Sequence, residues 1–168
     1  AVGNEGPASF AIDGNLNTHW HTDWQNKKVA DTPEKRTISL EMDEVQEVAE
    51  LHYYPRHIGG INGFITEYKV EVIPDGQSEW VEAAKGNWIR GKVEWHTAKF
   101  TEPVKTKNVR LVGLHTYADT GNDKHASAAE LKLMITVAKR DKIDESNSKL
   151  EILDLDADGK FAMDIVNE

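Results

Sequence analysis

Apolar and polar residues alternate with a period of two along several short segments of the chain, a pattern typical of half-buried β-strands. In residues 37–42, for example, Ile38, Leu40 and Met42 alternate with polar neighbours. The pattern predicts seven or more strands and no helix of core length before residue 138, with strands at residues 37–42, 48–54, 65–73, from 80, 94–100, 108–115 and 130–137. We therefore predict an all-β fold, an antiparallel β-sandwich of the jelly-roll kind.

The two ends of the chain depart from this pattern. The first 35 residues show almost no periodicity and are rich in Asn, Asp, Gly, Thr and Trp, and loops of that length are usually functional. Residues 138–168 carry five basic and nine acidic residues, a net charge of −4. We place a domain boundary within residues 138–145, which gives one module over residues 1–138 and a short acidic tail or linker over residues 139–168.

Composition narrows the classes of function. The 168 residues are enough to bury a core without disulfides, and the net charge of −9 argues against binding nucleic acid or anionic membrane lipid. No apolar run approaches the roughly 20 residues of a membrane span. The absence of cysteine excludes thiol catalysis and thiolate zinc sites. The chain opens on Ala-Val-Gly-Asn, without a signal peptide, and we expect it to be part of a larger protein.

One candidate metal loop stands near the start of the chain. Asp13, Gly14 and Asn15, followed by Thr18, gather a carboxylate, carbonyls and a hydroxyl. Such hard oxygens suit Ca²⁺, which takes six to eight of them. One loop cannot supply them all, and Glu130, which opens the last predicted strand of the sandwich, is a candidate for the second segment. The alternative is that Asp13-Gly14 is simply a turn.

Two histidines and two tryptophans follow this loop in the run His19-Trp20-His21-Thr22-Asp23-Trp24. On an extended segment both imidazoles lie on one side and could hold zinc, although no third ligand is marked out. An indole face can also stack on the apolar face of a sugar ring. We predict that Trp20 belongs to the core and that Trp24 is the platform.

A third candidate region is the glycine-rich loop that begins after Pro55. Arg56 enters this loop from a strand and Asn62 lies near its end, so both are expected at one end of the sandwich. A guanidinium and an amide together suit neighbouring sugar hydroxyls, which need bidentate partners. No Gly-x-Ser-x-Gly motif and no marked pair of carboxylates is present, so nothing in the sequence indicates an enzyme.

Three separated motifs in order resemble the discoidin, or F5/8 type C, domain over residues 4–137. Within that superfamily the chain resembles the bacterial family 32 carbohydrate-binding modules, which sit beside catalytic domains in secreted glycoside hydrolases. The motifs are GPASFAIDGN at residues 6–15 with THWHT at 18–22, YPR at 54–56 with Asn62-Gly63 and YKVEV at 68–72, and ASAAEL at 126–131.

The resemblance implies two sets of site residues. A structural Ca²⁺ would be bound by side chains of the first loop and the last strand together with two backbone carbonyls: Phe10 (carbonyl), Asp13, Asn15, Thr18, Ala129 (carbonyl) and Glu130. The sugar site would use a first-loop acid, a His-x-x-Trp pair, and an Arg with a following Asn: Glu5, His21, Trp24, Arg56 and Asn62.

One position departs from the galactose-binding relatives. Many of them carry a sugar-stacking Phe just before the closing motif, where this chain has His125, and Tyr117 is the aromatic alternative in the preceding loop. We therefore expect terminal galactose, N-acetylglucosamine or N-acetylgalactosamine as the ligand. The expected protein is a non-catalytic module of a secreted, multimodular bacterial glycoside hydrolase. The alternative is a protein-interaction or adhesion module of the same fold.

The acidic tail carries a further motif. Asp154-x-Asp156-x-Asp158-Gly159 matches the first half of an EF-hand or dockerin calcium loop. The twelfth position, which needs an acidic ligand, is Ile165, and Asp164 stands one place early. The motif is therefore incomplete, and an acidic linker or the start of a next module is the alternative.

Overall fold

Strands make up most of the protein in the computed structural model, which describes residues 6–23, 32–138, 148–155 and 161–163. Two short 3-10 helices, Ala8–Ile12 and Pro33–Lys35, precede the long strands, and the described ranges contain no α-helix. The strands are β1 (Trp20–His21), β2 (Thr37–Tyr54), β3 (Phe64–Pro74), β4 (Val81–Asn87), β5 (His96–Tyr117), β6 (Ser127–Ala128), β7 (Glu130–Ala138), β8 (Ser148–Leu155) and β9 (Phe161–Met163).

All strand pairs are antiparallel. The main sheet has the order β4-β3-β5-β2-β7-β8-β9, and β1 pairs with β6 in a second, two-stranded sheet. The predicted all-β, antiparallel architecture is confirmed and is consistent with a discoidin β-sandwich. No helix within the described residues is long and apolar enough to cross a membrane.

The two longest strands each join two segments that the sequence pattern separates. Residues 37–42 and 48–54 both belong to β2, and residues 94–100 and 108–115 fall largely within β5. The apolar alternation fails between the segments because the pairing of β2 with β5 shifts register between Glu41 and Gln46 and again between Val48 and Glu50. Such irregularities bend a strand and interrupt its alternation without ending it.

An aromatic stack fills the centre of the core. The indole of Trp88, in the connection after β4, lies between Tyr53 and Tyr68, with ring centroids 4.7 and 4.0 Å away. Its Nε1 donates to the backbone oxygen of Thr97 at 3.2 Å, so the buried indole keeps a hydrogen-bond partner. Trp20 is also buried in the core, as predicted.

The tail contributes backbone to the same sheet. Strand β8 pairs with β7 from Ala138 opposite Ser148 to Lys132 opposite Asp154, and β9 pairs with β8. Within the proposed EF-hand-like motif, residues 156–160, 164 and 165 lie outside the described residues. The division of the chain into a module and a tail stays a prediction.

Candidate functional site

Backbone hydrogen bonds place three predicted site segments side by side at one end of the sandwich. Ser127 in β6 pairs with His21 in β1. On its other side, the N–H of Ser127 donates to the carbonyl of Gly63 at 2.9 Å, and the N–H of Gly63 donates to the carbonyl of Tyr117 at 2.7 Å. The segments that carry His21, Asn62 and Tyr117 therefore form a continuous floor around Ser127.

Gly63 makes this floor possible. Its φ is +86°, in the region that favours glycine, and a Cβ there would lie 2.7 Å from the nitrogen of Ser127. A side chain would therefore push the two backbones apart. The Asn62-Gly63 pair of the sequence thus joins a polar side chain to a turn that lets its loop approach β6.

The two histidines of the site are neighbours. His21 is buried, with 3% of its surface exposed, and its ring centroid lies 5.3 Å from that of His125 at an interplanar angle of 39°. The Nδ1 of His21 is 2.6 Å from the carbonyl oxygen of Thr22, which can only accept, so Nδ1 carries the proton. Thr22 and Ala126 exchange two hydrogen bonds, of 2.9 and 3.0 Å, that hold the two histidine segments together.

Asn62 is oriented by the loop that follows β5. Its Oδ1 accepts the backbone N–H of Asp119 at 2.8 Å, and its backbone carbonyl accepts the hydroxyl of Ser127 at 2.7 Å. This contact occupies one lone pair of the amide oxygen and fixes the direction of the amide, so the nitrogen can offer its two N–H donors to a ligand.

Tyr117 lies on the other side of this loop. Its hydroxyl donates to Asp119 Oδ1 at 2.5 Å, and the Arg90 guanidinium lies 4.6 Å from its ring centroid. The hydrogen bond to Asp119 raises the pKa of the Tyr117 hydroxyl above its ordinary value. Two contacts therefore fix the position of the Tyr117 side chain: Asp119 at its hydroxyl and Arg90 over its ring.

Arg56 is half-buried at the start of the glycine-rich loop. Its Nε and Nη2 donate to the carbonyls of Ile58 and Gly59, both at 3.3 Å, so the guanidinium folds back over its own loop. Arg56 takes part in none of the ion pairs of residues 6–23 and 32–138. Five N–H donors with only two long internal contacts leave it able to donate to a ligand.

A buried arginine that the sequence did not mark supports the loop after β5. Arg36 is 4% exposed, and its guanidinium donates to the carbonyls of Gly113, Leu114 and Asp123 at 2.9, 2.8 and 2.6 Å. One side chain therefore ties the end of β5 to Asp123 in the loop that follows it. No local signal could reveal this role, because the partners of Arg36 lie 77 to 87 residues away.

Asp123 closes the same loop. It has a φ of +64°, and its Oδ1 accepts the N–H of Thr116 at 2.8 Å. Burial alone would raise the pKa of the Asp123 carboxyl, but the hydrogen bonds from Thr116 and His115 and the charge of Arg36 hold it below its ordinary value. The carboxylate is therefore ionised at neutral pH.

The loop that carries Asp13, Asn15 and Thr18 contacts Glu130 at the start of β7. Asp13 Oδ1 accepts the N–H of Asn15 at 2.9 Å, and Asp13 Oδ2 accepts the hydroxyl of Thr18 at 2.6 Å. Glu130 is 1% exposed, and its Oε2 accepts the N–H of Gly14 at 3.1 Å. A carboxylate at the start of β7 thus lies against the Asp13 loop, although 116 residues separate Glu130 from Gly14.

The donor set fits a calcium ion. The side chains of Asp13, Asn15, Thr18 and Glu130 offer oxygen, and Phe10 and Ala129 add carbonyls on the same two segments. In the described ranges, no three His, Asp or Glu side chains group together as metal ligands. The zinc alternative built on His19 and His21 therefore gains no third ligand there.

Two predicted sugar-binding residues, Glu5 and Trp24, lie outside the described residues and stay predictions. The structure brings His21, His125, Asn62 and Tyr117 to one floor and starts the Arg56 loop beside it. Sequence reasoning missed Arg36 and Arg90.

Comparisons with known proteins agree with this fold. The family model for the F5/8 type C domain matches residues 2–131. The module CpGH89CBM32-5 of Clostridium perfringens, solved in complex with GalNAc-β-1,3-galactose, is 39% identical with a TM-score of 0.65, over 79% of this chain and 86% of that one. The family 32 module of C. perfringens NanJ, solved with galactose, is 30% identical with a TM-score of 0.64, over 78% and 86%.

A curated relative shows the setting in which such a segment occurs. The A type blood N-acetyl-α-D-galactosamine deacetylase of Flavonifractor plautii is 33% identical over 129 residues, which is 77% of this chain. The chain spans 15% of that relative's length. The match of the family model over most of the chain settles the classification: the chain belongs to the F5/8 type C, or discoidin, domain family, and its structure is similar to bacterial family 32 carbohydrate-binding modules.

Proposed function

We propose that this chain is a non-catalytic carbohydrate-binding module that binds the non-reducing terminal galactose or N-acetylhexosamine of a glycan. The observation that carries the proposal is the shared floor around Ser127, which gathers His21, His125 and Asn62 beside the Arg56 loop. Two similar modules were solved with galactose or with a GalNAc-containing disaccharide, which supports this class of ligand.

We expect different side chains of the site to donate and to accept the hydrogen bonds of a neutral sugar. The Arg56 guanidinium can donate to two neighbouring hydroxyls, and the Asn62 amide nitrogen adds donors whose direction is fixed by the Asp119 contact. In the neutral His21 ring, protonation at Nδ1 places the lone pair on Nε2, which makes that atom an acceptor. His125 takes the position at which relatives carry a stacking aromatic, and Trp24 is the proposed second platform.

A small sugar buries little surface, so binding at one site is expected to be weak. Several modules or several glycan chains would then supply avidity. This suits a role as a targeting segment of a larger secreted bacterial glycoside hydrolase, which we propose as the parent protein.

Arg56→Ala tests the site directly. We expect wild-type protein to give signal on a glycan array for terminal galactose or N-acetylhexosamines, and calorimetry to show at least a tenfold loss of affinity in Arg56→Ala. Loss of a bidentate, charge-assisted contact corresponds to about 1.5–3 kcal/mol. Arg56→Lys keeps the charge but not the fork, and we expect it to lose most of the affinity as well.

Lys85→Ala is the matched control, because Lys85 is an exposed cation on β4 with a single long contact to Glu82. Its affinity should equal that of the wild type. Undiminished binding by Arg56→Ala would remove the site assignment. If no glycan on the array gave a signal and a defined protein partner were captured, the sugar-binding function would be overturned in favour of an adhesion module.

We also propose that a structural Ca²⁺ ties the first loop to β7. The ligands would be the side chains of Asp13, Asn15, Thr18 and Glu130 and the carbonyls of Phe10 and Ala129. The ion would supply only cohesion between two segments, because bound metal adds its binding free energy to the folded state. The support is the contact of Gly14 with the Glu130 carboxylate and the all-oxygen donor set.

Chelation provides the test of the calcium proposal. Calcium at about 100 times its dissociation constant stabilises a folded protein by about 2.7 kcal/mol, so a chelator should lower the Tm by several degrees. Asp13→Ala should abolish this difference, whereas Asp75→Ala, in the exposed turn after β3, should retain it. An identical Tm of wild-type protein with calcium and with chelator would contradict the proposal.

A further inference from the structure

A pocket of about 200 Å³ lies beside the site, against the loop that follows β5. Its lining includes Thr66, Arg90, His115, Tyr117, Asn122 and Asp123. Tyr117 is its one link with the residues that the sequence assigned to sugar binding, and His21, Arg56, Asn62 and His125 do not line it. The pocket is therefore distinct from the proposed terminal-sugar site, with Tyr117 as a shared neighbour.

Arg90 supplies the donors of this pocket. Its guanidinium lies over the Tyr117 ring at 4.6 Å, which fixes its plane near the pocket. Arg90 enters none of the ion pairs among the side chains that the structure describes. Stacking on Tyr117 therefore orients the guanidinium, and no described carboxylate forms an ion pair with it.

Asp123 supplies the acceptors. Its Oδ1 accepts the N–H of Thr116 and its Oδ2 lies 3.1 Å from His115 Nδ1, which uses two of about four lone-pair positions. Its side chain remains 38% exposed. Asn122 is exposed and adds an amide that can both donate and accept.

This mixture of groups favours a neutral, polyhydroxylated ligand over an anion. A carboxylate or sulfate that approached Arg90 would also meet the ionised Asp123, and Glu67 lies 3.4 Å from His115 on the same side. A hydroxyl group can accept a hydrogen bond from the Arg90 guanidinium and donate one to the Asp123 carboxylate. The volume is below the roughly 300 Å³ at which pockets for drug-sized ligands begin, so it suits one sugar ring.

Hydrogen bonds join the end of β5 and the loop after it, which line the pocket, to the Asn62-Gly63 segment of the proposed terminal-sugar site. The carbonyl of Tyr117 accepts the N–H of Gly63, and the N–H of Asp119 donates to Asn62 Oδ1 at 2.8 Å. We propose that this pocket is a subsite for the second sugar residue of a glycan whose terminal residue occupies the site of His21, Arg56, Asn62 and His125. The inference rests on the proposed function and adds to it a preference for an extended glycan.

Paired calorimetric titrations test the subsite. The probes are galactose, GalNAc and GlcNAc, and a panel of disaccharides that carry these sugars at the non-reducing end, including GalNAc-β-1,3-galactose. Wild-type protein should bind at least one disaccharide five- to tenfold more tightly than its terminal monosaccharide. In Asn122→Ala this gain should shrink to less than twofold, while the affinity for the monosaccharide stays unchanged. Arg90→Ala should lose the gain as well.

Lys92→Ala is the control, because Lys92 is an exposed cation two residues from Arg90 and lies outside the pocket lining. It should keep the full disaccharide gain. The subsite is overturned if no disaccharide of the panel exceeds its monosaccharide in wild type, or if Asn122→Ala weakens both probes equally. Failure of the proposed function looks different, because the monosaccharides themselves would then show no binding that depends on Arg56.

Discussion

Replacing Gly63 with alanine tests whether the close approach of two backbones builds the floor of the site. The φ of +86° at Gly63 costs an alanine roughly 1–2 kcal/mol by itself. The added methyl would also lie 2.7 Å from both the nitrogen and the hydroxyl oxygen of Ser127. Since most of these contacts are with backbone, the floor must shift, and overpacking of this kind costs about 1–3 kcal/mol more.

Gly91→Ala separates the two costs. Gly91 has nearly the same φ, +82°, but a Cβ there meets nothing within 4 Å. The difference in unfolding free energy between the two variants is therefore the cost of the contacts with Ser127 and Ala126. For a chain of this length about 1–3 kcal/mol corresponds to roughly 2–12 °C in Tm, which thermal unfolding followed by circular dichroism resolves.

A second measurement links this strain to recognition. Ser127 pairs with His21 and donates its hydroxyl to the Asn62 carbonyl, so its displacement should move both side chains. We expect Gly63→Ala, at a temperature where it is still folded, to bind sugar at least several-fold more weakly, and Gly91→Ala to bind normally. Equal Tm values for the two variants would refute the reasoning, because the close approach would then carry no cost.

Further substitutions probe the supports of the site and one cluster of charges on the sheet. Tyr53→Phe removes a buried hydroxyl that donates to the Ser127 carbonyl at 3.0 Å, and chemical unfolding should show a loss of about 1–3 kcal/mol. Tyr68→Phe removes a hydroxyl with no such contact and should cost less than half as much. Arg36→Met strips three carbonyls of their donor and should cost about 3–5 kcal/mol in the same assay. Burial would raise the pKa of the Glu71 carboxyl, but hydrogen bonds and charge from Lys69 and Arg110 outweigh burial and hold this pKa below its ordinary value. Its stabilising contribution is therefore complete at neutral pH and lost as pH falls below about 4 toward the lowered pKa. A Tm series from pH 7 to 3 should fall less steeply in Glu71→Gln, and parallel curves would contradict this.

Periodicity predicted the strands because burial on one face imposes alternation, as Ile38, Leu40 and Met42 show: all three are buried and their intervening neighbours are not. It divided β2 and β5 because a bulge interrupts alternation just as a loop does. The residues of the shifted segment 42–47 contain no Gly or Pro, which a true turn at this point would be expected to use.

Parts of the site were readable from sequence for a different reason. Asp13, Asn15 and Thr18 form a local motif, and their hydrogen bonds span two to five residues. Arg36 and Arg90 carry no such signal, because each acquires its role from contacts far along the chain. An arginine that follows Pro-Glu-Lys has the sequence context of an exposed cation, and only the tertiary fold encloses Arg36 among carbonyls.

The construction of the floor bears on how a small ligand can be bound at all. A single sugar ring buries little area, and any side chain or loop that it must order costs about 0.5–1.5 kcal/mol. Here the amide of Asn62 is oriented by Asp119, the ring of His21 by the Thr22 carbonyl, and the loop after β5 by Arg36. These groups are fixed by hydrogen bonds within the protein before a ligand arrives. Recognition at the proposed site would therefore spend little free energy on ordering, and its weakness would come from the small contact area, which repeated modules and glycan chains can multiply.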